Sequence, residues 1–252
     1  MSGKIHRKII PVFFIFFSVN SWCQDKITVA AASSLEKCFT KDIIPEFRKI
    51  HPDIKIEATF DGSGKLKKQI EQGMNVQIFL SASLQHLPRR DQFVAEEVNL
   101  LENRLVLIGN SRHKGEFRDF SHILNAKTVV LGNPDIVPAG YYAKELLEHL
   151  GLWEKLHSRT SVSLASNVAE VLSAVVLGAA QCGFVYSTDA APFKDRIYVA
   201  CEAQSGISPI VYPLVLLKKG EKSAAVRKFY DFLQSRQALE IFRRYGFKTV
   251  IK

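Results

Sequence analysis

The stretch Ile27-Thr28-Val29-Ala30-Ala31-Ala32-Ser33-Ser34-Leu35 begins apolar and β-branched, narrows to three alanines and ends on two hydroxyls before a leucine. That order predicts a strand running into a helix, with Ser33 or Ser34 at the N-cap and Leu35, Phe39, Ile43, Ile44 and Phe47 recurring at helical spacing behind it. A helix that starts there presents unpaired backbone N–H groups beside a hydroxyl, and its dipole makes the same end attractive to anions. Outward from this point the alternation repeats. Ile54 to Phe60 alternates apolar and polar as a half-buried strand, Asp61-Gly62-Ser63-Gly64 breaks it, Lys65 to Glu71 reads as a short helix stopped by Gly73, and Val76 to Leu80 returns as a strand. Strands alternating with helices predict an α/β sheet with parallel neighbours.

Further along, Leu105 to Ile108 and Lys127 to Leu131 read as strands, and Pro138-Ala139-Gly140 leads into a helix over Tyr141 to Leu150. Thr160 to Leu164 reads as a strand, after which Ser166-Asn167 caps a helix from Val168 to Leu177 that Gly178 ends. Gly183 to Tyr186, Arg196 to Cys201 and Ile210 to Leu217 are strands, and Glu221 to Tyr245 is helical, with Val226, Phe229, Phe232 and Leu233 on its apolar face. No repeat or low-complexity linker interrupts the chain. Two domains would therefore be joined by crossing strands, near Asn103-Arg104-Leu105 and near Tyr212-Pro213-Leu214, with residues 24–104 plus 212–252 in a discontinuous first lobe and 105–211 in the second.

The 252 residues suffice for a sizeable core, and 47% hydrophobic with 23% charged residues is a globular balance. Lys4, Arg7 and Lys8 precede the apolar run Ile9 to Phe17 and the Ser21-Trp22-Cys23 boundary, which reads residues 1–23 as a secretory signal. Removing those three cations lowers the net charge from +9 to +6. Cleavage after Cys23 releases the chain, whereas lipid attachment at Cys23 tethers it; Asn20-Ser21-Trp22 is a poor lipoprotein signal and favours release into the periplasm or another extracytoplasmic space. Cys38, Cys182 and Cys201 then remain, an odd count without CxxC spacing that favours buried free thiols over a Cys182–Cys201 disulfide.

Catalytic patterns are thin. Ser34-Leu35-Glu36-Lys37 fits the SxxK spacing of serine acyl-transfer enzymes, but the accompanying SDN and KTG signatures are missing. Gly62-Ser63-Gly64-Lys65 fails as a phosphate loop because Leu66 stands where a hydroxyl must meet magnesium. His51, His86, His113, His122, His149 and His157 are scattered without metal-ligand spacing, and the basic doublets Lys67-Lys68, Arg89-Arg90, Lys218-Lys219 and Arg243-Arg244 are too dispersed for a nucleic-acid surface. What remains is a set of neutral donors at turns: Ser34, Ser63, Ala139, Val168 and Tyr186.

Together the stretches Lys26 to Val29, Ala31 to Leu35, Phe60 to Ile70, Val137-Pro138-Ala139-Gly140 with Tyr142-Ala143-Lys144-Glu145, Asn167-Val168, Val185 to Ala190, Tyr212-Pro213 and Phe242 to Phe247 resemble the periplasmic molybdate-binding proteins of bacterial ABC importers. The resemblance implies a two-lobed, hinged periplasmic binding protein fold of type II, each lobe a mixed sheet flanked by helices. It also implies a monomeric carrier, not an enzyme and without a cofactor, that captures molybdate or tungstate and hands it to a membrane permease. By motif, the oxyanion would be held by the hydroxyls of Ser34 and Ser63, the backbone amides of Ala139 and Val168, and the Tyr186 hydroxyl, with Ser33 the alternative to Ser34. Gln77 and Ser83 stand where the family commonly carries acidic residues, and Lys65 places a cation near Ser63. Such a seat needs no arginine, because oriented dipoles spread the charge of a dianion over several donors. It also disfavours phosphate, whose remaining proton would meet groups with no lone pair to receive it. Rival readings keep the fold but bind sulfate or another oxyanion, or make Ser34 and Lys37 a secreted serine hydrolase.

Overall fold

The computed structural model describes residues 25–250, so the segment read as a secretory signal lies outside the described residues. Its strands in chain order are β1 (Asp25–Ala32), β2 (Ile54–Asp61), β3 (Ile78–Leu80), β4 (Val94–Glu102), β5 (Leu105–Asn110), β6 (Thr128–Gly132), β7 (Ser161–Ala165), β8 (Cys182–Tyr186), β9 (Ile197–Glu202), β10 (Val211–Leu217) and β11 (Lys248–Thr249). They form two sheets, ordered β11-β4-β10-β3-β1-β2 and β7-β6-β8-β5-β9. The first takes its strands from both ends of the described chain and the second from the middle. The chain passes between them at Asn103-Arg104 and again over residues 203–210. These two passages run side by side: the Asn103 amide donates to the Ile210 carbonyl at 3.1 Å and the Ala203 amide to the Leu105 carbonyl at 2.9 Å. Tyr212 and Pro213, expected at the second passage, lie inside β10.

Each sheet has a parallel core, β2-β1-β3 in one and β7-β6-β8 in the other. Both are mixed, because β10 runs antiparallel between β3 and β4, and β5 runs antiparallel between β8 and β9. Burial of both faces against two separate cores explains why β1 reads so clearly. Val29 and Ala31 enter the larger core with Ile78, Leu80, Leu214 and Leu216, while Ala30 points to the opposite face with Phe79, Val215 and Leu217. Strand β4 escapes a periodicity reading because Glu96 and Glu97 stand together in its middle. Each is matched by an arginine from elsewhere, Glu96 by Arg227 at 2.5 Å and Glu97 by Arg90 at 2.7 Å. Pro213, with no amide to give, coincides with a register shift between β10 and β4.

The helix after β1 begins as a 3₁₀ turn at Ser33–Leu35, passes through Glu36–Cys38 and a wide π turn at Phe39–Ile43, and ends as Ile44–Ile50. Its N-cap is Ala32, without a side-chain cap bond, so the serines expected there are free for other partners. The π turn ends two residues before Pro45, which cannot donate to the carbonyl four residues back. Phe39 and Phe47 pack edge-on against Phe229, and Phe47 also meets Phe232. The terminal helical run is two helices, Ala224–Gln234 and Arg236–Arg244, separated at Ser235, whose hydroxyl accepts the Ala238 amide and restarts the helix.

Among the described residues, Cys38, Cys182 and Cys201 are free thiols. Cys182 pairs across the sheet with Gly109 and Cys201 with Leu107, so β5 stands between them. Two strand spacings, roughly 10 Å, exceed what a disulfide can span.

Candidate functional site

Two glycines bring the sheets together. In Asp61-Gly62-Ser63-Gly64, at the end of β2, a Cβ on Gly62 would sit 2.6 Å from the Ser166 carbonyl oxygen, and one on Gly64 would sit 2.6 Å from the Ile136 Cα. Only a chain without side chains there can approach the second-sheet loops so closely. The Gly64 amide uses the approach to donate to the Ile136 carbonyl at 2.8 Å.

Beside this contact lies a small cavity walled by Ala32, Ser33, Ser34, Asp61, Gly62, Ser63, Ala82, Val137, Pro138, Ala139, Val168 and Tyr186. All five residues singled out in the sequence border it, and Ser33 does as well. They arrive from five places: the turn after β1, the start of the Ser63–Glu71 helix, the starts of the Pro138–His149 and Val168–Leu177 helices, and the end of β8.

The two amide positions follow from how their helices begin. Pro138 occupies the first turn of its helix and no side chain caps it, so the next amide, Ala139, has no carbonyl within the helix to reach. Val168 follows Asn167, whose side chain accepts the Glu170 amide at 2.9 Å and leaves the amide of Val168 outside the cap. Both positive helix ends face the cavity.

The hydroxyls differ in partners. Ser63 is fully buried and its Oγ accepts the Ala82 amide at 3.0 Å, which leaves the serine proton to give. Ser34 Oγ lies 2.9 Å from Tyr212 Oη. Tyr186, 1% exposed, carries a buried hydroxyl without a hydrogen-bond partner, and burial, with the neighbouring Tyr212, raises its pKa well above the ordinary phenol value. An unsatisfied buried hydroxyl is a costly thing to keep unless something arrives to accept its proton.

The cavity wall holds no basic side chain. Its carboxylate, Asp61, is already spoken for: Oδ1 accepts the Gly62 amide at 2.8 Å and Oδ2 pairs with Lys65 Nζ at 2.5 Å. Lys65 is thereby turned to Asp61 and is not part of the wall. Gln77 and Ser83 also serve elsewhere, Gln77 Oε1 accepting the Thr28 amide at 2.6 Å and Ser83 Oγ capping the turn at Gln85 at 3.1 Å.

Next to Tyr186, Asp189 accepts the Tyr186 amide at 3.4 Å, and burial pushes its carboxyl up to about 7. His86 sits against Gly64 and Tyr141 with Nδ1 buried and unpartnered, its pKa lowered to about 4, first by burial and then by Lys67.

Lys37, the partner Ser34 would need for acyl transfer, is exposed and borders a wider groove outside the cavity. Among the described residues no group of His, Cys, Asp and Glu is arranged to hold a metal ion. Two residues outside the five singled out in the sequence adjoin the site: Asn103, whose amide Nδ2 donates to Tyr212 Oη at 3.2 Å, and Tyr212, whose hydroxyl meets Ser34. Neither belongs to a local pattern, because both contacts join residues more than a hundred positions apart.

The sequence matches the description "Bacterial extracellular solute-binding protein" over residues 27–248. It is 33% identical to a Bacillus subtilis protein described as an ABC transporter substrate-binding lipoprotein, over 91% of this chain and 89% of that one. It is also 33% identical to the molybdate-binding protein ModA of Escherichia coli, over 89% of each chain. The fold is similar to that of the periplasmic molybdate-binding protein of Azotobacter vinelandii, with a TM-score of 0.73, 22% identity, and 88% of this chain and 98% of the other covered. With two helix-flanked mixed sheets and a match across nearly all its described residues, the chain belongs to the bacterial extracellular solute-binding proteins, a family that binds its solutes without a cofactor and without transforming them.

Proposed function

We propose that this protein captures molybdate, and with it tungstate, outside the cytoplasm and delivers it to the membrane permease of an ABC importer. The observation that carries the reading is the set of neutral donors around one cavity: the hydroxyls of Ser34, Ser63 and Tyr186 and the first-turn amides of Ala139 and Val168, with no basic side chain among them. Such a set suits a fully ionised tetrahedral anion, whose oxygens only accept. The relatives named for molybdate support the choice of anion.

On this reading the chain is a monomer of two lobes. Residues 24–104 with 212–252 form one, residues 105–211 the other, and the paired passages at Asn103 and Ile210 act as the hinge. Ser34 and Ser63 belong to the first lobe, and Ala139, Val168 and Tyr186 to the second, so closure assembles the seat. The Gly64 to Ile136 bond supports the view that the arrangement described above is the closed one.

The test is a thermal-shift and calorimetric panel of molybdate, tungstate, sulfate and phosphate. A ligand at about a thousand times its Kd adds about 4 kcal/mol of stability. Molybdate and tungstate should each give that scale of shift and phosphate almost none. Equal shifts from phosphate, or none from molybdate, overturn the reading.

A further inference from the structure

A hydroxyl can give a proton or receive one, so a seat that only donates needs something to decide which way each hydroxyl points. For Ser63 the decision is local. The Ala82 amide can only donate, it occupies Ser63 Oγ at 3.0 Å, and the serine proton is left for the cavity. For Ser34 the neighbour is the Tyr212 hydroxyl, which can act either way.

The direction is set one step further back. The Arg104 amide donates to Asn103 Oδ1 at 2.9 Å, and a backbone N–H cannot do otherwise. That contact fixes the orientation of the Asn103 side-chain amide, since turning it over would bring an NH₂ against an N–H. Nδ2 must then face Tyr212 Oη at 3.2 Å and Thr188 Oγ1 at 2.9 Å, while Oδ1 also accepts Ser187 Oγ at 3.2 Å. With all four bonding positions used, the amide has no reason to rotate. Tyr212 Oη receives from Asn103, so its own proton is free for Ser34 Oγ at 2.9 Å. Ser34, already an acceptor there, turns its proton to the cavity. Tyr212 is fully buried and its ring is held edge-on to Tyr186 at 5.7 Å and Phe247 at 5.4 Å, so the phenol keeps its place.

We propose that Asn103 and Tyr212 are positioning residues that polarise the Ser34 hydroxyl toward the cavity, and that through it they set the discrimination between fully ionised oxyanions and those that retain a proton. The inference rests on the oxyanion reading given above. It adds that discrimination resides partly in two residues outside the cavity wall. With Tyr212 unable to donate, Ser34 Oγ regains a free lone pair and can receive the proton of hydrogen phosphate.

The experiment compares wild type, Tyr212→Phe and Asn103→Ala by calorimetry with molybdate, sulfate and phosphate near neutral pH, with melting temperature recorded for each. Tyr212→Phe should weaken molybdate roughly tenfold or more. Sulfate, if it binds, should weaken in parallel, while phosphate should hold or strengthen, so the molybdate-to-phosphate ratio collapses. Asn103→Ala should shift the ratio the same way, which secures the result if Tyr212→Phe does not fold. A purely structural role would weaken all three anions equally. An unchanged ratio in the folded variants overturns the inference while leaving the oxyanion function standing. Wild type that binds none of the three overturns both.

Discussion

The Gly64 amide donates to the Ile136 carbonyl across 2.8 Å, joining the first turn of the Ser63–Glu71 helix to the loop between β6 and the Pro138–His149 helix. A methyl on Gly64 would meet the Ile136 Cα at 2.6 Å and its carbonyl oxygen at 2.9 Å. Gly64→Ala therefore should keep each half folded but hold the halves apart. The expected result is a near-normal melting temperature without ligand and a loss of anion affinity of at least roughly tenfold, read by calorimetry.

Tyr186→Phe separates holding a ligand from holding the fold. The Tyr186 hydroxyl is buried without a partner, so its removal should stabilise the ligand-free protein by about 1 kcal/mol or more. Anion binding should fall roughly 10- to 100-fold, since a bond to a charged acceptor is lost. Opposite movements of melting temperature and affinity in one variant are the signature to look for.

The pH response should contain two opposed parts. His86 faces Lys67, the Asp135 backbone and carboxylate, and Tyr141, and its pKa falls from 6.5 to about 4 on folding. The unfolded chain takes up that proton first, so the contribution is complete above about pH 6.5 and is lost as pH falls toward 4, on the order of 3 kcal/mol in all. Asp189 runs the other way, its carboxyl raised from 3.8 to about 7 by burial. Its contribution is complete below pH 3.8 and is lost as pH rises toward 7. Melting curves from pH 4 to 8 should show His86→Gln flattening the acid-side loss and Asp189→Asn gaining over wild type as neutrality is approached.

Export should release the protein, not anchor it. Expressed with its own leader, it should appear in the soluble extracytoplasmic fraction with an intact mass that lacks residues 1–23 and carries no lipid. A lipidated Cys23 in the membrane fraction is the contrary result, and would bring this chain into line with the Bacillus relative described as a lipoprotein.

Local chemistry made much of this molecule legible from sequence. The Val168–Leu177 helix carries its start in Asn167 and its end in Gly178, which adopts a left-handed φ of +80°, and both signals act within a turn of the residues they control. Strand β1 was equally plain, because both its faces are buried and its side chains alternate between two cores. Strand β4 was hidden by Glu96 and Glu97, whose arginine partners no window contains. The capping role expected of Ser33 or Ser34 failed for a related reason. Ser34 is bonded to a tyrosine 178 positions along the chain, and that contact takes the oxygen that a cap would have used. Five of the residues bordering the cavity carry a motif, whereas the partners that bear on the Ser34 and Ser63 hydroxyls, Asn103, Tyr212 and Ala82, lie far from them in sequence.

Asn103 occupies one of the two adjoining passages between the sheets, and its side chain also reaches Tyr212 on one side and Ser187 and Thr188 on the other. Any bending at that passage must therefore disturb the amide that aligns Ser34. On the two-lobed reading, unloading at the membrane would then be more than uncovering: the jaw that swings away also scrambles the grip, so cargo leaves a site that has stopped recognising it.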